Sequence, residues 1–336
     1  MIEGSHFYTR LLLYFSLLVN FETFMNQHAG RVDRRELLKA GGVVAGGIAL
    51  ANLGGTGVLA AESKEPLFKI SVAAYSLHRM IAAGKLDPRD YGPFCKKHFD
   101  VDAVEYWMGP FADKGGDRAY LDEMHKKSKD AGVKELLIMV DIKNGKGNLG
   151  HPDEKERKAA VERHFEWVEA AERMGCHSIR VNARSEGSRE EQADRAADGL
   201  RQLSEFAAPH KINVIVENHG GLSSDGAWLA DVMKRVDLEN CGTLPDFGNF
   251  YEYDRYQGVK DLMPFAKAVS AKSYAFDADG NETKIDYRKM MKIVVDAGYH
   301  GYVGIEWEGE TPADEKEGVM LTKRLLEQVR DEMAKS

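Results

Sequence analysis

Short apolar runs alternate with charged, amphipathic stretches from about residue 67 to residue 333. The runs are rich in β-branched residues, which is typical of strands, and the stretches between them are typical of surface helices. Eight runs predict eight strands, at residues 68–77, 102–107, 134–141, 178–183, 212–219, 241–247, 269–277 and 302–308. The stretches that follow predict eight helices, at residues 89–99, 118–131, 154–174, 189–209, 225–235, 258–268, 286–297 and 313–333.

The helix at 154–174 shows the period well, since Val161, Phe165 and Val168 recur at three-to-four spacing and would line its buried face. Several predicted helices run into a glycine just before the next strand, in the sequences AGVK, MGCHS and AGYHG. Glycine at that position is the usual stop signal of a helix, because it adopts the left-handed conformation without strain. The chain is therefore a succession of strand–helix units.

Eight such units in about 270 residues predict an α/β fold, a (β/α)₈ TIM barrel. A doubly wound open sheet is the alternative, but no glycine-rich phosphate loop follows the first strand. No linker interrupts residues 67–333, so we expect one barrel domain over residues 62–336 and a separate extension over residues 1–61.

The extension resembles a twin-arginine export signal. Arg34 and Arg35 precede ELLK, an Ala/Gly/Val-rich stretch follows, and Ala60 and Ala61 offer a cleavage point. We therefore expect a periplasmic or otherwise exported protein, with Met25 as the true start. An uncleaved helix that anchors the protein in a membrane is the alternative, but the glycine density disfavours a stable spanning helix.

Composition excludes some classes of function. The hydrophobic fraction of 43% and charged fraction of 30% are those of a soluble globular protein. The formal net charge of −8 disfavours a nucleic-acid partner, which needs a basic surface. Cys95, Cys176 and Cys241 are too few and too scattered for a disulfide framework or a cysteine metal site.

Three carboxylates stand at the ends of predicted strands: Glu217, Asp246 and Glu306. The carboxyl ends of parallel barrel strands open into one mouth, so these side chains would converge there. Clustered negative charges repel one another unless protons or a cation intervene. We expect a divalent cation, with oxygen ligands favouring Mg²⁺ or Mn²⁺ and an added imidazole favouring Mn²⁺ or Co²⁺. Separate ion pairs or helix caps are the alternative.

The strand-end motifs VENHGG, LPDFGNF and GIEWEG resemble those of the xylose isomerase-like superfamily of sugar isomerases and epimerases, over residues 68 to about 333. The resemblance implies a metal held by Glu217, Asp246 and Glu306, with a histidine as fourth ligand. Ser270 stands where the family usually has that histidine, in His-x-Lys. Three explanations stay open: His219, on the same face as Glu217, replaces it; Ser270 and water complete the sphere; or the metal is lost.

The chemistry that the resemblance implies is proton transfer next to a sugar carbonyl. The metal would polarise the carbonyl, Glu217 and Glu306 would remove and return a carbon-bound proton, and Lys272 would stabilise the oxyanion or form an ion pair. The longest loop, after the third strand, could close over a ligand. We expect the following side chains to bind the sugar: Glu105, Asp141, Arg180, Asn182, Asn249 and Trp307.

The sequence thus favours an exported, divalent-metal-dependent sugar isomerase or epimerase, acting on a free sugar or a 3-keto-glycoside. A non-catalytic carbohydrate-binding barrel that has lost its metal is the second hypothesis. A phosphoesterase like endonuclease IV is the third, and the scattered histidines disfavour it. The expected partner is a small sugar or glycoside, with no stable membrane anchor and a possible homo-oligomer.

Overall fold

The computed structural model describes residues 65–335, so the predicted export signal lies outside the described residues. In the described range, eight strands alternate with eight outer helices. The strands are β1 Lys69–Ala73, β2 Ala103–Trp107, β3 Lys134–Met139, β4 Ser178–Val181, β5 Asn213–Glu217, β6 Cys241–Leu244, β7 Val269–Ser273 and β8 Tyr302–Trp307. The helices are α1 Tyr91–Phe99, α2 Arg118–Asp130, α3 Glu154–Arg173, α4 Arg189–Ala207, α5 Gly226–Val236, α6 Arg255–Leu262, α7 Tyr287–Asp296 and α8 Glu315–Met333.

The strands form a closed parallel barrel. The ladder runs β6-β5-β4-β3-β2-β1-β8-β7, and each neighbouring pair is parallel. Parallel bridges between Asp246 and Ser270 and between Thr243 and Ala266 join the two ends of this order. The predicted (β/α)₈ TIM barrel is confirmed. One of the bridges that close it joins Asp246, an expected metal ligand, to Ser270, which stands at the expected histidine position.

Local sequence signals set the helix boundaries. The first turns of seven outer helices in the described range are capped by a side-chain oxygen that accepts a backbone N–H. The cap residues are Asp117, Asp153, Ser188, Asp225, Asp254, Asp286 and Asp314. The predicted glycine stops are present at Gly132, Gly175 and Gly298, whose φ angles are 71°, 72° and 81°.

Several strands end earlier than predicted. The run at 68–77 leaves the sheet at Ala73, where a 3₁₀ turn and then the short helix His78–Ala82 follow. The run at 241–247 leaves at Leu244, and Pro245 has no N–H for a ladder bond. In both cases the apolar run continues into a buried loop, which a strand pattern alone does not distinguish from a strand.

Apolar and polar side chains share the barrel interior, with the polar pair Ser71 and Glu105 beside apolar residues. Side chains alternate along a strand, so Ile215 and Glu217 of β5 share the inner face. The inner apolar cluster consists of Ala73, Leu137, Met139, Ile215, Leu244 and Ala268. A larger apolar cluster of strand and helix residues, such as Val181 and Leu200, surrounds the barrel. None of the helices among residues 65–335 is long and apolar enough to cross a membrane.

A candidate metal centre at the mouth of the barrel

Three carboxylates from three strands meet at the carboxyl end of the barrel. Glu217 ends β5, Asp246 follows β6 and Glu306 lies in β8. One oxygen atom from each lies within 4.8 Å of the others. The three side chains are almost fully buried, with residue exposures of 1%, 0% and 3%. The structure therefore brings together the three residues that the sequence singled out.

Asp246 is held by its neighbours in the loop after β6. The side chain of Asn218 pairs with its backbone, since Nδ2 donates to the Asp246 carbonyl at 3.0 Å and the Asp246 N–H donates to Oδ1 at 2.8 Å. The backbone N–H groups of Gly248 and Asn249 donate to Asp246 Oδ1 at 2.8 and 2.9 Å. Because Oδ1 is committed to these donors, Oδ2 is the oxygen that faces the cluster.

Glu217 lies between an amide and a guanidinium. Asn249 Nδ2 donates to Oε1 at 2.9 Å, and Nη2 of Arg180 lies 2.5 Å from Oε2 as an ion pair. That ion pair lacks the angle of a hydrogen bond, and Oε2 has no hydrogen-bond partner among the described residues. Nη1 of Arg180 donates to Asp141 Oδ1 at 2.8 Å. Arg180 is thus the charge partner of two carboxylates from neighbouring strands.

Lys272 supplies the second buried cation. Its Nζ lies 3.0 Å from Glu306 Oε2, 3.0 Å from Glu308 Oε1 and 3.8 Å from Asp246 Oδ2. Burial lowers the pKa of Lys272, but Asp246, Glu306 and other carboxylates more than compensate and raise it well above its ordinary value. The ammonium group stays charged, and the ion pair that the sequence left open for Lys272 is present.

Ser270 bridges two of the three carboxylates. Its Oγ lies 2.8 Å from Asp246 Oδ2 and 3.1 Å from Glu306 Oε2. A hydroxyl has one proton and cannot donate to both oxygens at once. Burial raises the pKa of Asp246 well above its ordinary value, and the charges of Glu217 and Glu306 raise it further against the effect of Lys272. Arg180 and Lys272 offset only part of the charge of the three carboxylates, so a further proton or cation would stabilise the cluster.

This donor set fits a divalent cation. Three carboxylate oxygens are hard ligands, and one oxygen from each side chain lies within 4.8 Å of the others. Glu217, Asp246 and Glu306 could hold the ion, with the Ser270 hydroxyl beside two of them. His219 does not belong to this group of three. Its ring lines the cavity above, and its buried Nδ1 lacks a hydrogen-bond partner within residues 65–335.

A cavity of about 360 Å³, lined by both polar and apolar side chains, opens above the cluster. Glu306 and Glu308 reach its floor, whereas Glu217 and Asp246 lie beneath the lining. Tyr75 and Trp107 form an aromatic wall, with ring centroids 5.0 Å apart. The loop after β3 covers another side through residues 142–145, 147 and 148. The loop that we expected to close over a ligand therefore already borders the cavity.

The expected sugar-binding residues divide into two groups. Asp141, Arg180 and Asn182 line the cavity, and Asn182 Nδ2 donates to Asp141 Oδ1 at 2.6 Å. Burial raises the pKa of Asp141, but Arg180 and Asn182 lower it below its ordinary value overall, so this carboxylate is ionised. The others lie outside the cavity lining: Asn249 binds Glu217, and Glu105 and Trp307 are buried.

Glu105 lies inside the barrel, below the mouth. Ser71 Oγ donates to its Oε1 at 2.6 Å, while its buried Oε2 lacks a hydrogen-bond partner among the described residues. Gly304 of β8 leaves the space that this carboxyl group fills, because a Cβ there would lie 2.3 Å from Oε1. Burial raises the pKa of Glu105 to about 7, against the hydrogen bond from Ser71. The Glu105 carboxyl group therefore fills space inside the barrel and does not line the cavity.

Sequence reasoning did not name Glu308 or Asn218 as residues of the site. Glu308 lines the cavity and binds Lys272, and its only signal was its position two residues after Glu306, on the same face of the strand. Asn218 positions Asp246 but points away from Glu217 along β5. The pattern of inward-facing residues does not indicate Asn218, because its side chain binds the backbone of Asp246, which follows the neighbouring strand.

Comparisons with known proteins agree with the barrel fold. The family model of the xylose isomerase-like TIM barrel matches residues 95–328. A C-glycoside deglycosidase alpha subunit from Arthrobacter globiformis is 39% identical over 66 residues, 19% of each chain. A 3'-dehydrocarminate deglycosidase alpha subunit from Microbacterium is 31% identical over 86 residues, 25% of each chain. These alignments thus span a quarter or less of the curated relatives.

The fold also matches solved structures. The D-psicose 3-epimerase of Clostridium cellulolyticum H10, solved with D-tagatose, superimposes with a TM-score of 0.62 at 13% identity. That match covers 78% of this chain and 99% of the epimerase, and identity this low shows the fold alone. The family model covers most of the 336 residues, and so the chain belongs to the xylose isomerase-like TIM barrel family.

Proposed function

We propose that the chain is a divalent-metal-dependent enzyme of the sugar isomerase or epimerase type, which moves a carbon-bound proton next to a carbonyl group. One observation carries the proposal: three buried carboxylates converge within 4.8 Å, and one of them, Glu306, lines a cavity of ligand-binding size. The cation would be Mn²⁺, Mg²⁺ or Co²⁺, held by Glu217, Asp246 and Glu306. When bound, it would polarise the substrate carbonyl as a Lewis acid.

Glu306 is the group best placed to take the proton. It reaches the cavity floor, and although burial raises its pKa, Lys272 and Arg180 lower it below its ordinary value overall. The carboxylate is therefore ionised and can accept a proton from the carbon next to the carbonyl, while the C–H electron pair moves toward the carbonyl oxygen. The return of a proton by Glu217, which the resemblance implies, stays a prediction, because Glu217 lies beneath the cavity lining.

Lys272 acts on this step through Glu306. Lys272 is 1% exposed and lies outside the cavity lining, but its Nζ is 3.0 Å from the Glu306 carboxylate. Its charge keeps Glu306 ionised, so its role is to prepare the base. Asp141, Arg180 and Asn182 would bind sugar hydroxyls, and Tyr75 and Trp107 would stack on the apolar face of the ring.

The substrate that we favour is a ketose or a 3-keto-glycoside. The psicose epimerase fold match supports the first, and the names of the two deglycosidase relatives, one of which is said to act on a 3'-dehydro glycoside, support the second. Both substrates carry a carbonyl next to a C–H bond, so the same first proton transfer serves epimerisation and elimination. Association into a homo-oligomer stays a prediction.

Solvent exchange tests the proposal directly. The protein with Mn²⁺ is mixed in D₂O with D-psicose, D-tagatose or 3-keto-D-glucose, and NMR follows deuterium entering next to the carbonyl. We expect Glu306→Gln to slow exchange by at least about 100-fold. Glu135→Gln is the matched control, because Glu135 is also buried on a strand but pairs with His125 outside the site. Exchange by Glu306→Gln at the parent rate would contradict the proposal.

A non-catalytic carbohydrate-binding barrel is the second candidate. The observations that favour it are Ser270 at the expected histidine position and the Lys272 ammonium beside Glu306 and Asp246. Metal analysis of the purified protein distinguishes the two candidates. One divalent ion per chain supports the enzyme, and sugar binding without metal or deuterium exchange supports the binding protein.

We also propose that the chain is exported, on the strength of Arg34 and Arg35 and the Ala/Gly-rich stretch that follows them. Replacing both arginines by lysine should keep the protein in the cytoplasm, as cell fractionation would show. Arg31→Lys is the matched control, because it makes the same change outside the pair. Unchanged export of the double variant would contradict a twin-arginine route.

A further inference from the structure

Glu308 connects the buried lysine to the cavity. It lies two residues beyond Glu306, and its Oε1 accepts a hydrogen bond from Lys272 Nζ at 3.0 Å. The side chain of Glu308 is 29% exposed at the cavity floor, while that of Lys272 is 1% exposed. The Glu308 N–H donates to the Ser273 carbonyl at 3.0 Å, so the backbone of Glu308 is fixed to the end of β7. The carboxylate is thus anchored on the cavity side of the ammonium.

The other ionic contacts of Lys272 are with expected metal ligands. Its Nζ is 3.0 Å from Glu306 Oε2 and 3.8 Å from Asp246 Oδ2. An ammonium that is buried to this degree needs paired carboxylates, since water does not reach it freely. Without the charge at position 308, the ammonium would pair with Glu306 and Asp246 alone. A positive charge there competes with a divalent cation for the same oxygens.

We propose that Glu308 is a positioning residue that draws the Lys272 ammonium toward the cavity and so keeps Asp246 and Glu306 available to the divalent cation. The inference rests on the proposed metal dependence and assigns to Glu308 a role in setting the metal affinity. Glu308 does so through Lys272 and binds no metal itself. Substitution of Glu308 should therefore weaken metal binding when Lys272 is present and leave it nearly unchanged when Lys272 is absent.

A double-mutant cycle tests this coupling. Mn²⁺ binding to the parent, Glu308→Gln, Lys272→Met and the double variant is measured by isothermal titration calorimetry. We expect Glu308→Gln to weaken binding by about tenfold or more in the parent and by less than about twofold in the Lys272→Met background. Equal weakening in both backgrounds would show a direct charge effect and overturn the inference. No weakening in either background would overturn it as well.

Two further variants complete the design. Glu310→Gln removes the same charge two residues later, at an exposed position outside the cavity lining, and should leave the affinity unchanged. Glu308→Asp keeps the charge but shortens the side chain, and should give an intermediate affinity. Loss of affinity in Glu310→Gln equal to that in Glu308→Gln would overturn the inference, because the effect would then follow charge alone.

The position of the ammonium gives a second readout that needs no metal. In a metal-free crystal structure of Glu308→Gln, Lys272 Nζ should lie closer to Asp246 Oδ2 than the present 3.8 Å. An ammonium that stays in place overturns the inference, whatever the metal affinities are. A parent protein that binds no divalent cation overturns the proposed function instead, and the ammonium position then decides the inference alone.

Discussion

The hydroxyl of Ser270 lies 2.8 Å from Oδ2 of Asp246, across the seam where the barrel closes. The same Oγ is 3.1 Å from Glu306 Oε2, so a small oxygen donor occupies the position next to two expected metal ligands. Of the three explanations that the sequence left open, a role for Ser270 agrees with these two contacts, whereas His219 lies outside the group of three carboxylates and loss of the metal stays open. The site is therefore oxygen-rich, which favours hard cations.

An imidazole at position 270 should change the metal preference. We expect Ser270→His to raise the affinity for Co²⁺ relative to Mg²⁺ by about tenfold or more, because a nitrogen ligand suits Co²⁺ better. Calorimetric titration with both ions measures the ratio. Ser270→Ala is the control, since it removes the hydroxyl without adding a ligand. Equal changes for the two ions in Ser270→His would show that the imidazole does not bind the metal.

The pair of Arg180 and Glu217 should be strongly coupled in stability. Arg180→Met leaves Glu217 and Asp141 without their cation, and Glu217 is buried. Breaking a buried pair in this way costs about 3–5 kcal/mol. We expect Glu217→Gln to cost less in the Arg180→Met background than in the parent, because the amide carries no charge. Urea unfolding of the metal-free parent, the two single variants and the double variant at pH 7 measures each free energy of unfolding. If the losses from the two single substitutions simply add in the double variant, the two residues are not coupled.

The barrel and the three carboxylates could be predicted from the sequence because both follow from periodic patterns. Alternation along a strand determines which face a residue takes, and the end of an apolar run determines that Glu217 and Glu306 lie near the mouth. The family match confirms the fold class that those patterns favoured. The metal role of these residues stays a prediction.

Depth inside the barrel could not be predicted in the same way. Glu105 and Arg180 both point inward, but Glu105 fills a hole opposite Gly304 while Arg180 reaches both Glu217 and the cavity. Depth depends on the stagger between strands, here the pairing of Ser71 with Gly304, and this is set by packing of the whole barrel. The contact of Lys272 with Glu308 likewise depends on how β7 and β8 are aligned, which the local sequence does not determine.

Gly304 should be sensitive to the smallest substitution. A Cβ at this position would lie 2.3 Å from Glu105 Oε1 and 2.6 Å from Oε2, and both residues are in the barrel wall. We expect Gly304→Ala to lower the free energy of unfolding by about 1–3 kcal/mol. Gly116→Ala is the control, because the nearest atom to its Cβ would be 4.0 Å away. Chemical denaturation measures the free energy of unfolding of both variants. An equal loss in the two would contradict the close contact between position 304 and Glu105.

The free energy of unfolding should depend on pH through the titration of Glu105. The pKa of this buried carboxyl is raised from 4.5 to about 7, so the folded protein holds its proton more tightly than the unfolded chain. The resulting stabilisation is fully present below pH 4.5 and is lost as the pH rises through 7. The loss is on the order of 3 kcal/mol for a shift of this size.

Glu105→Gln isolates this contribution, because glutamine resembles the protonated carboxyl and can still accept the hydrogen bond from Ser71. We expect the variant to gain stability relative to the parent between about pH 5 and pH 8.5, since the parent alone must ionise a buried group. Urea unfolding at both pH values gives the difference in the free energy of unfolding between the variant and the parent. The titration of other groups cancels in this difference, because both proteins share those groups. A difference that is constant with pH would mean that Glu105 titrates normally and that the barrel interior admits water to it.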